Sequence, residues 1–206
     1  MKKLIVLIVT GTVLVACGSK GSHSEHGGHS NHGQASADAR NYADSVNAGI
    51  ISADTLKRSV PRVSMDFIGD NHVHMVYGSP GVRGRQIWGG LVAYDEVWVA
   101  GAHQATSVEF GKDVVVDGKD VPAGKYAFFL IPGKETWIAI LNKNWDQHLA
   151  DEYKETEDVV RVTVSPESTE TTTQRLTYIV KPITADEGEI IFEWEKIRVR
   201  LPFRNR

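Results

Sequence analysis

The residues best suited to binding a ligand lie in a glycine-rich segment, residues 77–106, with the sequence YGSPGVRGRQIWGGLVAYDEVWVAGAHQAT. Glycine at this density indicates tight turns and close backbone approach, with little steric bulk around Arg83, Arg85 and His103. A guanidinium group can hold a carboxylate or a phosphate through two parallel hydrogen bonds. The alternative is that both arginines form salt bridges at the base of a loop. We predict a ligand surface here that uses Arg83, Arg85 and His103.

Aromatic side chains offer a second kind of contact. A tryptophan or tyrosine in a loop can stack on a sugar or on another flat ligand, which makes Trp88, Tyr94 and Trp145 candidate binding residues. Trp98 and Trp137 lie in apolar strands and are predicted to belong to the core. If Trp88 is a surface platform, replacing it with alanine should cost little stability.

Histidines suggest a different chemistry, metal binding. In the stretch HSEHGGHSNH four imidazoles recur at every third residue, and neutral imidazole suits zinc, copper and nickel. The alternative is a soluble spacer. A second group, His103 and His148 with nearby Asp146, could form a zinc or copper site in the folded part of the chain. His72 and His74 are predicted to share one face of a strand, where they could either bind a metal together or simply face the solvent. The tether histidines are His23, His26, His29 and His32.

The sequence carries none of the usual catalytic signatures. It has no G-x-S-x-G elbow, no H-E-x-x-H zinc helix and no Walker lysine after the glycines of residues 78–90. Catalytic residues are therefore unassigned, and a binding protein is favoured over an enzyme. The formal net charge of −3, without a long basic run, argues against nucleic acid as a partner.

The first residues indicate export and lipid anchoring. Lys2 and Lys3 precede an apolar run, residues 4–15, which ends in the sequence LVAC. A basic start, a short apolar stretch and small residues before a cysteine are typical of a lipoprotein signal peptide, here residues 1–16, although a short anchor helix would be the alternative. Cys17, the chain's single cysteine, would then carry the lipid. We expect a protein tethered outside the cytoplasm, to the cell envelope membrane.

Two further regions follow the predicted signal. Residues 17–58 begin with a glycine, serine and histidine-rich tether that cannot bury enough apolar surface to fold. They end in a spacer with a short helix predicted over residues 38–48, which could dock on the domain. Residues 59–206 have the length of one domain.

That domain is predicted to be all-β. Apolar and polar residues alternate in about nine or ten short segments, and Gly69-Asp70 is typical of a hairpin turn. Residues 126–131 and 137–141 are apolar on both faces, which predicts central strands covered on both sides. The inward positions change parity after Trp194, so we predict a bulge at Glu195-Lys196. The pattern favours an antiparallel β-sandwich or jelly roll.

Three separated motifs carry a family resemblance. The glycine-rich segment, then VDGKDVPAGKYAFFLIPG, then FEWEKIRVRLPF resemble the domain-of-unknown-function 2911 family of exported bacterial proteins over residues 63–203. The resemblance implies a β-sandwich without an established activity. The family's usual pattern has proline where this chain has Ala93, arginine at Val99, and Asn-Glu at His103-Gln104. No catalytic residue is carried over.

These observations combine into one expected function. We expect a lipid-anchored, extracytoplasmic β-sandwich that binds a small molecule, a glycan or a protein through residues 78–106 and the loop at residues 145–148. The alternative is a metal-handling protein or metal-dependent enzyme that uses His103 and His148 with a metal-capturing histidine tether.

Overall fold

The structure, a computed structural model, describes residues 42–206, and the predicted signal peptide, Cys17 and the histidine tether lie outside the described residues. After a short helix at residues 42–47, the chain forms strands joined by short connections. A single 3-10 turn, Glu155–Glu157, precedes β8. The strands are β1 Val60–Ile68, β2 Asn71–Ser79, β3 Ser107–Phe110, β4 Val114–Val116, β5 Lys119–Val121, β6 Gly124–Ile131, β7 Trp137–Asn142, β8 Asp158–Val164, β9 Glu167–Pro182 and β10 Glu187–Asn205.

The strands form two antiparallel sheets. The larger has the order β1-β2-β3-β6-β7-β8, and the smaller has the order β5-β4-β10-β9. Their inner faces pack together: Tyr178 of β9 meets Tyr77 of β2 with ring centroids 4.9 Å apart and Phe128 of β6 at 5.7 Å. This arrangement is an all-β sandwich, as the alternating pattern predicted. Within residues 42–206, the structure contains no helix with the length and apolarity needed to cross a membrane.

The predicted hairpin and bulge are both confirmed. β1 and β2 pair in register from Val60 opposite Ser79 to Ile68 opposite Asn71, and Gly69 at the turn has a φ of 59°, which glycine adopts at little cost. In β10 the pairing with β9 shifts on both sides of Glu195, whose φ is 55°. The extra residue explains how Trp194 and Val199 can both be buried despite their opposite parity.

The two central strands are covered on both sides, also as predicted. Phe128 and Leu130 of β6 face the main core between the sheets, whereas Phe129 faces a smaller apolar cluster on the outer side. That cluster includes Val99 and Ala105. The last part of the glycine-rich segment, residues 97–105, therefore covers the outer face of the large sheet, and this packing holds its loops in place.

Candidate ligand pocket

The glycine-rich segment forms one side of a pocket of about 490 Å³, at the size expected for a small-molecule site. The remaining walls come from residues 57–59, just before β1, and from Leu149 and Trp194. The two loops predicted to bind ligand are joined here, because the Leu149 N–H donates to the His103 carbonyl at 2.6 Å. We call this space the cationic pocket, for its basic side chains.

Four fully basic side chains and one histidine line the cationic pocket, and its described lining contains no carboxylate. Moreover, none of the four lies within 4.0 Å of an acidic group of residues 42–206. The predicted alternative, a salt bridge at the loop base, therefore has no acidic partner in the described part of the chain. The basic residues are Lys57, Arg58, Arg83, Arg85 and His103.

Arg85 is fixed within this group by its own loop. Its guanidinium donates to the Val82 carbonyl at 3.2 Å from Nε and to the Gly81 carbonyl from Nη2. Burial, followed by the charges of Arg83 and Arg175, lowers the pKa of Arg85 below its usual value. Burial is the larger cause, the two neighbouring cations add to it, and the charge of Asp54 opposes it. A bound anion would favour the charged form of Arg85.

Aromatic rings supply the apolar part of the same pocket. Trp98 and Trp194 both line it, stacked with centroids 5.6 Å apart and ring planes at 19°. Trp194 is fully buried, and its indole N–H has no hydrogen-bond partner within residues 42–206. Trp194 thus backs the pocket, and the apolar wall open to a ligand is formed by the partly buried Trp98 and the exposed Leu91, beside the basic side chains.

Trp88 belongs to this aromatic cluster and is not a free platform. Its ring lies edge-on to Trp137 at 4.6 Å, to Trp194 at 5.8 Å and to Trp98 at 6.0 Å, and it packs against the main core. The loop position that suggested exposure is misleading, because the loop folds inward between the sheets. Trp98 and Trp137 pack with the core, as expected.

The other two aromatic candidates lie away from the cationic pocket. Tyr94 is half-buried and packs on Gly89, where an added Cβ would come within 2.7 Å of the ring. Trp145 is 39% exposed and its ring lies under the ammonium group of Lys125, 3.8 Å from the centroid. Of the six predicted ligand residues, the structure brings together Arg83, Arg85 and His103.

Behind the pocket is a buried ion pair that the sequence analysis missed. Arg175 of β9 is fully buried, and its Nη2 donates to Asp54 Oδ1 at 2.6 Å. The same guanidinium also donates to the carbonyls of Leu56 at 2.6 Å, Arg58 at 3.0 Å and Ser79 at 3.1 Å. A lone arginine in a threonine-rich strand gives no local signal that it is buried.

These bonds fix residues 54–58 against the sandwich, so that Lys57 and Arg58 reach the pocket. The preceding helix docks alongside: Asn47 exchanges two hydrogen bonds with the backbone of Arg175, at 2.7 and 2.9 Å. Asp44 pairs with Arg62 of β1. The spacer expected to be able to dock therefore makes specific contacts from residue 42 onward.

The folded histidines do not converge on a common point. No group of three or more His, Cys, Asp or Glu side chains within residues 42–206 is placed to hold a metal. His148 and His103 are exposed, and His148 Nδ1 lies 3.2 Å from Asp151 Oδ2. His72 and His74 stack on the outer face of β2 with centroids 5.9 Å apart.

A second cavity, of about 380 Å³, lies beside Val115 of β4 and Phe203 of β10. Three acidic residues, Asp117, Glu187 and Glu189, and one basic residue, Arg204, line it, and Glu189 is already paired with Arg200 at 2.8 Å. The cavity therefore mixes acidic and basic residues, and one of its three carboxylates is already neutralised by Arg200 and Lys181. The cationic pocket is therefore the better candidate site.

Comparison with known protein families gives a match over most of the folded domain. Residues 59–203 match the family described as "Protein of unknown function (DUF2911)". The chain belongs to this family. No curated protein and no solved structure gives a significant match. The DUF2911 match includes Arg83, Arg85 and His103 and also Arg175, but it begins after Asp54, Lys57 and Arg58. Part of the pocket is thus built from residues that lie outside the matched region.

Proposed function

We propose that this DUF2911 protein is a lipid-anchored, extracytoplasmic binding module, and that its ligand is a small molecule bearing a carboxylate or a phosphate. The proposed anchor rests on the LVAC sequence and on Cys17 as the acylation point. The proposed ligand rests on the pocket. The partners of the protein would thus be the envelope membrane and a small anionic molecule.

The observation that carries this proposal is the excess of positive charge in the cationic pocket. The whole chain has a formal net charge of −3, yet four fully basic side chains line one concave surface without a carboxylate among its described residues. The charge of Arg83 disfavours the charged form of Arg85, and an anion bound between them would offset that repulsion. Arg83 and Arg85 supply forks that match carboxylate or phosphate oxygens.

The lining also supports binding more than catalysis. Among the lining residues of the described chain, His103 supplies the one imidazole and Ser59 the one hydroxyl. No lining carboxylate is present there to orient the imidazole, which a serine-histidine mechanism requires. What remains is a charged and aromatic surface that can hold and orient a ligand.

Phenyl phosphate is a suitable probe, because it combines a phosphate with a flat ring. We expect it to raise the melting temperature of the full chain at constant ionic strength, and phenol to have a much smaller effect. Removing a charge-assisted hydrogen bond costs about 1.5–3 kcal/mol, so Arg83→Gln and Arg85→Gln should each weaken binding by about 10-fold to 100-fold.

Arg204→Gln is the matched control, since Arg204 is an exposed arginine in the lining of the second cavity. It removes the same charge from the protein but leaves the cationic pocket intact. Equal losses of affinity in Arg85→Gln and Arg204→Gln would show that only net charge matters, and would contradict the proposed site.

A further inference from the structure

A smaller cavity adjoins the cationic pocket. It has a volume of about 210 Å³ and shares three wall residues with the pocket: Ser59, Ala102 and His103. We call it the apolar cavity. Among the described residues, no Lys, Arg, Asp or Glu side chain lines it; its remaining walls are Pro61, Val76, Tyr77, Gly78, Gln104 and Ala105.

The wall between the two spaces is held in position by close backbone packing. Gly78 approaches the Ala102 carbonyl so closely that an added Cβ would lie 2.3 Å from the oxygen. Only glycine permits this contact. The Tyr77 hydroxyl is already engaged as an acceptor for the Tyr178 N–H, at 3.2 Å. The Tyr77 ring packs edge-on against Tyr178 on the inner face of β2, so it supports the apolar cavity from the core side.

We infer that the ligand is an amphipathic anion with a single apolar chain. Its charged group lies against Arg83 and Arg85, and its chain passes His103 into the apolar cavity. This inference rests on the proposed function and adds the class of molecule. A site that is positive at one end and apolar at the adjoining end is complementary to such a molecule in both charge and polarity.

The cavity volume sets how much of the chain can be enclosed. A water molecule occupies about 30 Å³ in the liquid, so about 210 Å³ holds roughly seven groups of that size. A single chain of about six to eight carbons fits this space, whereas two chains do not. Each buried methylene should tighten binding about fourfold until the cavity is full.

The test is a titration of the full chain with monoalkyl phosphates of two, four, six and eight carbons, each below its micelle concentration, with inorganic phosphate as the reference. We expect affinity to rise about fourfold per methylene and to level off near eight carbons. Dioctanoyl phosphatidate, which carries two chains of the same length, should bind more weakly than octyl phosphate. Equal or tighter binding of the two-chain molecule would overturn the single-chain assignment.

Val76 and Val63 provide a matched pair of variants. They are cross-strand partners on the outward face, 38% and 37% exposed, and of the two Val76 alone lines the apolar cavity. Val76→Thr should reduce the preference for octyl phosphate over inorganic phosphate severalfold, and Val63→Thr should leave it unchanged. Equal effects of the two substitutions would show that chains bind the general surface, and would overturn the inference.

The outcomes separate this inference from the proposed function. If affinity is independent of chain length but still depends on Arg85, the amphipathic class is wrong and the anion site stands. If neither the chain length of the ligand nor the Arg85→Gln substitution changes the affinity, both the amphipathic class and the proposed anion site are wrong.

Discussion

Asp54→Asn tests whether the buried ion pair holds the N-terminal segment on the sandwich. The substitution preserves the size of the side chain and removes its charge. The guanidinium of Arg175 would then remain fully buried, with carbonyl groups but no carboxylate as acceptors. The side chain of Asp54 is itself only 3% exposed, so water cannot replace the lost charge without opening the structure.

The structure sets the expected magnitude. Removing one partner of a buried ion pair costs about 3–5 kcal/mol, because a charge is left without compensation. Asparagine can still accept a hydrogen bond, so we expect the lower end of that range, about 3 kcal/mol. For a domain of this size that corresponds to a fall in melting temperature of about 6–12 °C. Combining Asp54→Asn with Arg175→Met should cost less than the sum of the two single changes, since the pair is then removed together.

Urea unfolding provides the measurement, with the unfolding free energy and its denaturant slope obtained from the same curve. Glu167→Gln is the control, because Glu167 pairs with Arg200 at 3.2 Å on the surface, where side-chain exposures are 50% and 33%. It should change stability by less than about 1 kcal/mol. An Asp54→Asn variant as stable as Glu167→Gln would refute the reasoning.

Three further predictions follow from other parts of the chain. Trp88→Ala should lower the free energy of unfolding by about 3–5 kcal/mol, because the ring packs on three other tryptophans. A near-native urea midpoint would mean that the ring does not contribute to the stability of the core. Cys17→Ser should abolish incorporation of labelled fatty acid, and equal labelling in the variant would eliminate the proposed anchor. Burial and the hydrogen bond to Asp158 raise the pKa of Tyr153 to about 12, above the unfolded value near 10. The stability that the neutral Tyr153 hydroxyl contributes is therefore complete below about pH 10 and is lost as the pH rises to about 12. The difference in unfolding free energy between wild type and Tyr153→Phe should narrow over that interval. A constant difference would contradict the raised pKa of Tyr153.

Much of the fold could be predicted because β-strands leave a local record in the sequence. The period of two along β2 separated buried Val73 and Met75 from half-buried His72 and His74, as the structure has them. The change of parity after Trp194 identified the irregularity at Glu195, since a strand cannot turn its inward face without an added residue. Which strands share a sheet depends on contacts between distant residues, and alternation alone does not encode it.

The site was less predictable for the same reason. Arg83 and Arg85 could be predicted as site residues because the glycines beside them indicate tight turns, and a turn is determined by residues close together in the sequence. Asp54 and Arg175 are separated by 121 residues, and neither has neighbours that indicate burial. Trp88 was assigned to the surface from its loop position, yet a loop that folds between two sheets can carry a ring into the core. Long-range packing decided both cases.

The buried guanidinium of Arg175 also defines where the folding unit begins. A polypeptide that started at Ser59, the first residue of the DUF2911 match, would lack Asp54, Leu56 and Arg58, which provide three of the four acceptors. Its arginine would be buried with a single carbonyl. A relative that keeps an arginine at this position of β9 needs a carboxylate upstream of the matched region, so the two residues should be gained and lost together in evolution.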